Sequence, residues 1–241
     1  MTHTTNHLGQ AIGFPVPDWK PATCPTGEVM NGRYCRLEPL DAKRHAADLF
    51  AALSRDAEGK NWTYLPYGPF DPLASFLDWI NGVCSGSDPL FLAVVSRATG
   101  RAVGVASYLR IMPEQGSIEV GHLNFSPAMQ RTVVATEAMW LMMRRAFSLG
   151  FRRYEWKCNA LNQASRRAAQ RLGFSFEGVF RQAGVVKGHN RDTAWYAVID
   201  RDWPALDRAF QAWLAAENFD AAGLQRVSLT SLTETLVAAK G

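Results

Sequence analysis

A strand, a short turn and an amphipathic helix follow one another between Ile118 and Phe147. This succession constrains the fold more than any other stretch of the chain. Ile118-Glu119-Val120-Gly121-His122-Leu123-Asn124-Phe125 carries β-branched and aromatic residues, and Ser126-Pro127 stops it. Gln130-Arg131-Thr132-Val133-Val134-Ala135 makes the turn, and Ala135, Met139, Met142 and Ala146 then fall on one face at helical spacing. The first turn of a helix has free N–H groups, and its dipole favours negative charge. A strand that feeds such a helix therefore builds an anion site, and a diphosphate is its natural occupant.

Downstream, Asn162-Gln163-Ala164-Ser165 opens a helix that ends at Arg171-Leu172-Gly173-Phe174, followed by Glu177-Gly178 and Arg181. Lys187-Gly188-His189-Asn190-Arg191-Asp192 joins two strand-like runs, and Asp202-Trp203-Pro204 closes the segment. In this order the motifs resemble the GNAT N-acetyltransferases, in particular their RimJ/RimL-like branch, over roughly residues 32 to 204. The family's phosphate turn reads Gln/Arg-x-x-Gly-x-Gly/Ala. Gln130 and Ala135 match its ends, and Val133 stands where glycine is usual. Glycine lets the backbone approach phosphate and take positive φ, which costs a β-branched residue about 1–3 kcal/mol.

The resemblance implies an α/β (layered α+β) fold with a central mixed, mostly antiparallel sheet of about seven strands flanked by helices. It implies acetyl-CoA as cosubstrate, no metal, and transfer to a primary amine by direct attack in a ternary complex. The amine belongs to a small metabolite or a protein N-terminus. The alternative is a non-catalytic acyl-CoA-binding or regulatory module, if Val133 weakens the phosphate turn. A dinucleotide oxidoreductase is disfavoured, because no Gly-x-Gly-x-x-Gly follows a first strand.

Residue by residue, the turn Gln130, Arg131, Thr132, Val133, Val134, Ala135 and Thr136 would hold the diphosphate. The backbone at Leu123, Asn124 and Phe125 would pair with the pantetheine arm like an added strand. Asn162 would touch that arm, and Arg166 would approach the adenosine 3′-phosphate. Ser165 would donate a proton to the departing thiolate. An alkyl ammonium has a pKa of about 10, so the acceptor needs a base. Glu119 is the first candidate and His122 the second. Strand alternation puts His122 on the opposite face from Glu119 unless a bulge intervenes. Trp62, Tyr64, Tyr67, His189 and Arg191 would surround the acceptor, with the aromatics suited to a cationic amine. Each residue also has a plain structural role open to it: ion-pair partner for Glu119, packed side chain for His122, core for the aromatics. A helix cap, worth about 1 kcal/mol, is such a role for Asn162 and Ser165.

The chain divides into an irregular N-terminal arm (1–31), the acetyltransferase-like domain (32–203) and a C-terminal helix and tail (204–241). Prolines 15, 17, 21 and 25 argue against regular structure in the arm, with Trp19 as its anchor. The first helix is capped by Asp41, and the second starts with Asp71 at the cap and Pro72 at its first position. The last twenty or so residues read as an ordered arm, a swapped element or a frayed tail.

Across 241 residues, 47% apolar, acidic and basic side chains are interspersed with a net charge of +4. That surplus suits an anionic cosubstrate, and no basic block alternates with aromatics as nucleic-acid binding would require. Cys24, Cys35, Cys84 and Cys158 are scattered without metal-ligand spacing and read as free thiols of a reducing cytoplasm. No run approaches the roughly twenty apolar residues that span a bilayer, so no membrane partner is expected. A homodimer is left open.

Overall fold

The computed structural model describes residues 3–241. The chain begins with β1 (His3–Thr5), β2 (Ala11–Gly13), β3 (Met30–Asn31) and β4 (Cys35–Pro39). Helices α1 (Ala42–Leu53) and α2 (Leu73–Val83) precede β5 (Leu90–Ser96), β6 (Ala102–Met112) and β7 (Ser117–Phe125). Then come α3 (Val133–Ser148), β8 (Arg153–Asn159), α4 (Gln163–Arg171), β9 (Ser175–Val186), β10 (His189–Ile199), α5 (Trp203–Leu214) and α6 (Leu229–Thr233).

Eight strands form one sheet in the order β3-β4-β5-β6-β7-β8-β10-β9, one more than the sequence implies. The addition is β3, a two-residue edge paired Met30↔Leu37 and Asn31↔Arg36, too short to show a period. Every pairing is antiparallel except β7 with β8. This is the mixed, mostly antiparallel α/β architecture that the motifs imply.

The sheet has a core on each face. β5 is buried on both sides: Phe91, Ala93 and Val95 join Ala46, Leu49 and Leu53 of α1 and Phe76, Trp79 and Ile80 of α2. Leu92 and Val94 look the other way, toward Met139, Met142, Met143 and Ala146 of α3. Asp41 caps α1 by accepting the Arg44 N–H at 2.8 Å. α2 departs from expectation. It begins at Leu73 with Pro72 in the capping position and no side-chain cap, so Asp71 stands one residue too early.

The N-terminal arm is not wholly irregular. β1 and β2 form an exposed hairpin, turned by Asn6, whose side-chain oxygen accepts the N–H groups of Leu8 and Gln10 at 3.0 Å each. An Asx-type turn supplies what the arm's composition hid. Trp19 rests on Gly116 and under the Arg152 guanidinium. At the other end the tail is an ordered arm: Phe176 N–H donates to Ala239 O at 3.0 Å and Gln170 Nε2 to Gly241 O at 2.9 Å.

A buried carboxylate ties α3 to the start of β4. Glu137 is 2% exposed and accepts the backbone N–H groups of Arg33, Tyr34 and Cys35 at 2.7–2.8 Å. Gly32 permits the approach, since a Cβ there would lie 2.4 Å from the Glu137 carboxylate. Glu137→Ala would strand three donors, the Cys35 N–H buried and the other two part-buried, and should lower the unfolding free energy by about 3 kcal/mol. Urea denaturation reads this out. Glu137→Gln keeps one acceptor oxygen and should lose less, and an unchanged midpoint in the alanine variant would refute the tie.

Candidate active site

The β7–β8 ladder pairs Ser117–Val120 with Arg153–Trp156 and then stops. β7 runs on to Phe125 paired only with β6, while β8 runs on to Asn159 paired only with β10. Between the diverging strands the backbone of Gly121 to Phe125 has an open edge. The divergence coincides with a bulge: the β6–β7 register slips between Ser107↔Gly121 and Val105↔Asn124, and His122 takes φ 52°. A bulge bends its strand and re-aims side chains. It turns His122 onto the face that carries Glu119, the exception that simple alternation allows.

At the foot of the open edge lies the turn before α3. Thr132 caps the helix, accepting the Ala135 N–H while its hydroxyl donates to Met129 O at 2.6 Å. Among the described residues, the backbone N–H groups of Arg131, Val133 and Val134 make no hydrogen bond. The left-handed residue of the turn is Arg131, with φ 61°, and Val133 is already helical. Valine therefore occupies the glycine position of the motif without strain. Two expected ligands of an anion are used otherwise. The Gln130 amide donates to Asn61 Oδ1 and Phe125 O, each at 2.8 Å, latching the 61–70 loop onto β7. Thr136 is buried, its N–H donating to Thr132 O and its hydroxyl accepting from Arg171. Arg131 itself is exposed.

On the β8 side, Asn162 caps α4 by accepting the Ser165 N–H at 3.0 Å. The Trp156 indole N–H donates to Ser165 Oγ at 3.0 Å, which leaves the hydroxyl proton free to donate elsewhere. Burial raises the pKa of the neighbouring Cys158 thiol, with Ser165 pulling the other way. Arg166 is engaged within the protein through two of its three guanidinium nitrogens. Its Nε donates to Tyr196 Oη and its Nη1 to Ala160 O, both at 3.1 Å, and the guanidinium faces Phe176.

The opposite wall is built around Glu119, whose side chain is 4% exposed. Its Oε2 takes both Arg110 at 2.7 Å and Lys157 at 2.9 Å, and no bond engages Oε1. Oε1 points toward Gly121, 3.7 Å from where a Cβ would stand. Burial raises the Glu119 pKa, against the opposing pull of Lys157 and Arg110. His122 Nδ1 lies 2.8 Å from Tyr67 Oη, and its ring packs against Tyr67 and Phe91. Burial, then the charges of Arg110 and Arg191, lower the His122 pKa to about 4.

The aromatic loop splits in two. Tyr67 reaches the site, whereas Trp62 is 5% exposed and packs edge-on against Phe70, a core residue rather than the mouth it was expected to line. A cavity of about 470 Å³ lies beside Trp62, bounded by Phe50, Leu53 and Phe76, away from Glu119 and His122. Tyr64 Oη donates to Leu161 O at 3.4 Å, bridging the loop to the start of α4. His189 is exposed at the β9–β10 turn and joins no cluster. Its neighbour Lys187, to which the sequence assigns no role, donates from Nζ to Trp62 O at 2.9 Å and Gly68 O at 3.0 Å. Arg191 is half-buried, with Nε bonded to Thr193 Oγ1 at 3.2 Å. Lys157 and Arg110 were also missed. The signal for Lys157 is its alternation with Trp156 on the strand neighbouring Glu119.

The chain matches the acetyltransferase (GNAT) domain over residues 35–175. It belongs to the GNAT acetyltransferases. A GCN5-related N-acetyltransferase from Brucella melitensis is 46% identical, with TM-score 0.89 over 91% of this chain and 100% of the other. A probable GNAT acetyltransferase from Chromobacterium violaceum is 41% identical, with TM-score 0.76 over 81% and 98%. RimL, a ribosomal L7/L12 α-N-protein acetyltransferase, is 20% identical with TM-score 0.61 over 71% and 94%, which shows a shared fold. No curated protein matches the chain. This GNAT chain is therefore an acetyltransferase enzyme, of a family that uses acetyl-CoA. Its matched region holds β7, α3, β8 and α4 but ends before most of the β9–β10 hairpin, which brings Lys187 and Arg191.

Two outcomes follow from this geometry. Because Val133 is already helical, Val133→Gly should leave acetyl-CoA affinity within about twofold by calorimetry; a marked tightening would show that the valine obstructs the turn. The folded His122 resists protonation until about pH 4, while the unfolded chain takes that proton near the ordinary 6.5. Stability should thus fall as pH is lowered through that window, and His122→Gln should flatten the slope of melting temperature against pH there.

Proposed function

We propose that this acetyltransferase transfers the acetyl group of acetyl-CoA to a primary amine by direct attack in a ternary complex. The acceptor is the amine of a small metabolite or of a protein N-terminus, in a cytoplasmic setting and on the RimJ/RimL pattern of motifs. The observation that carries the reading is Glu119 Oε1: a buried carboxylate oxygen with no partner among the described residues, turned along β7 toward Gly121, where the β7–β8 ladder has ended.

The residues present fit acetyl-CoA. Three unpaired N–H groups at Arg131, Val133 and Val134 suit a diphosphate, and the open edge of β7 suits an extended amide-bearing arm. When bound, the cosubstrate supplies an activated acyl carbon and a thiolate leaving group. Everything else is done by the chain. Glu119 takes the amine's proton, directly or through a water, and burial makes it a stronger base than a solvated carboxylate. Arg110 and Lys157 fix it in one orientation. A backbone N–H on the open edge of β7 faces the acyl oxygen as its charge grows, where an aligned donor counts most. Ser165, aimed by the Trp156 indole, gives its proton toward the sulfur.

General acid–base groups contribute about 10²–10⁴ in rate, so Glu119→Gln should lower kcat at neutral pH by about 100-fold or more. Acetyl-CoA affinity should be nearly unchanged, because Glu119 lies away from the α3 turn. Thiol release measured over an amine panel, beside calorimetric titration, checks both. Full activity in the glutamine variant would remove Glu119 from the mechanism.

A further inference from the structure

The face of the sheet that holds Glu119 carries an unbalanced charge. Register and alternation put Glu119 on β7, Arg153, Glu155 and Lys157 on β8, and Arg191, Thr193 and Trp195 on β10 on this one side. The Lys157 ammonium, 3.8 Å from the Trp195 ring centroid, confirms the shared face. Each carboxylate here already holds a cation. Glu119 has Arg110 and Lys157, Glu155 has Lys157 and Arg153, and Glu177 has Arg153. Arg191 is the cation left over. Among the described residues it makes no ion pair, and its one side-chain bond, to the neutral Thr193 hydroxyl, uses Nε and leaves the outer fork free. It is half-buried at the start of β10, beside Thr193, and its charge bears on His122. Thr193 pairs with Asn159 at the end of β8, where β8 has already parted from β7.

A guanidinium in such a place wants an oxyanion, which it grips through two parallel N–H bonds. A purely cationic acceptor would instead meet Arg110, Lys157 and Arg191 on the way in. One of the aromatics that could have offset this, Trp62, is lost to the core. Building on the acetyltransferase reading above, we propose that the acceptor is an amine that also bears an oxyanion, a carboxylate or a phosphate, and that Arg191 seats it. The seat would orient the amine toward Glu119 and neutralise the spare positive charge of this face.

The test uses the full chain and a panel of matched amines: amino carboxylates, their amides and methyl esters, the corresponding simple amines, phosphate-bearing amines, and peptides with free N-termini. Binding to the CoA-loaded protein is measured by calorimetry, and acetylation by thiol release. Oxyanion-bearing amines should bind and react about 10- to 100-fold better than their neutral partners, the range of one charge-assisted contact. The carboxylate and phosphate arms say which oxyanion the seat prefers. Arg191→Gln should erase that preference by raising KM for the oxyanion-bearing amines about 10- to 100-fold. Arg191→Lys, which keeps the charge without the fork and guards against a folding artefact, should restore part of it. Equal binding of neutral and anionic amines would overturn the proposal while leaving the acetyltransferase reading intact. So would an Arg191→Gln variant that weakens acetyl-CoA and keeps the acceptor preference, since Arg191 would then serve the donor. Selective binding of anionic amines without acetylation of any would keep the seat and sink the amine-transfer reading instead.

Discussion

Four residues of parallel pairing hold β7 against β8, and then the ladder ends at Val120↔Trp156. The bulge at His122 bends β7 toward β6, and β8 finds its next partner in β10. Backbone polar groups inside a protein normally pair, so an open edge next to a sheet's centre invites an extended partner. That single interruption places the α3 turn at one end of a gap, Ser165 on one bank and Glu119 and His122 on the other. The rest of the fold holds those positions. Glu137 anchors α3 to β4 through three N–H groups, and two hydrophobic layers clamp the sheet from both faces.

The chemistry of the gap is set by charge as much as by shape. Burial raises the Glu119 pKa, while two cations hold its Oε2 and, among the described residues, leave Oε1 without a bond. His122, on the same strand, is held by Tyr67, and burial lowers its pKa. Such a wall selects by electrostatics before it selects by fit.

Much of the frame was legible because it rests on local rules. The Asp41 and Asn162 caps, the Met139–Met142–Ala146 stripe and the alternation of Tyr154, Trp156 and Cys158 can all be read from spacing. Side-chain destinations were less legible. Gln130 and Arg166 occupy motif positions, but Asn61 and Tyr196, far away in sequence, decide where they point. Trp62 looks like a binding aromatic until Phe70 and the bend at Gly68 fold over it. Lys187 opens a motif, but its role was not legible, because one lysine in a hairpin turn resembles any other until the opposing carbonyls are known.

The Lys187 clasp and the Tyr64 hydroxyl make the gap more than an open trench. From β7 through β8 and β10 to the hairpin tip, across to the 61–70 loop and back by the Asn61 and Tyr67 bonds, the polypeptide closes on itself. A closed loop sorts guests topologically: a molecule with a free end can be threaded through it, whereas the middle of a folded chain cannot enter unless the clasp lets go.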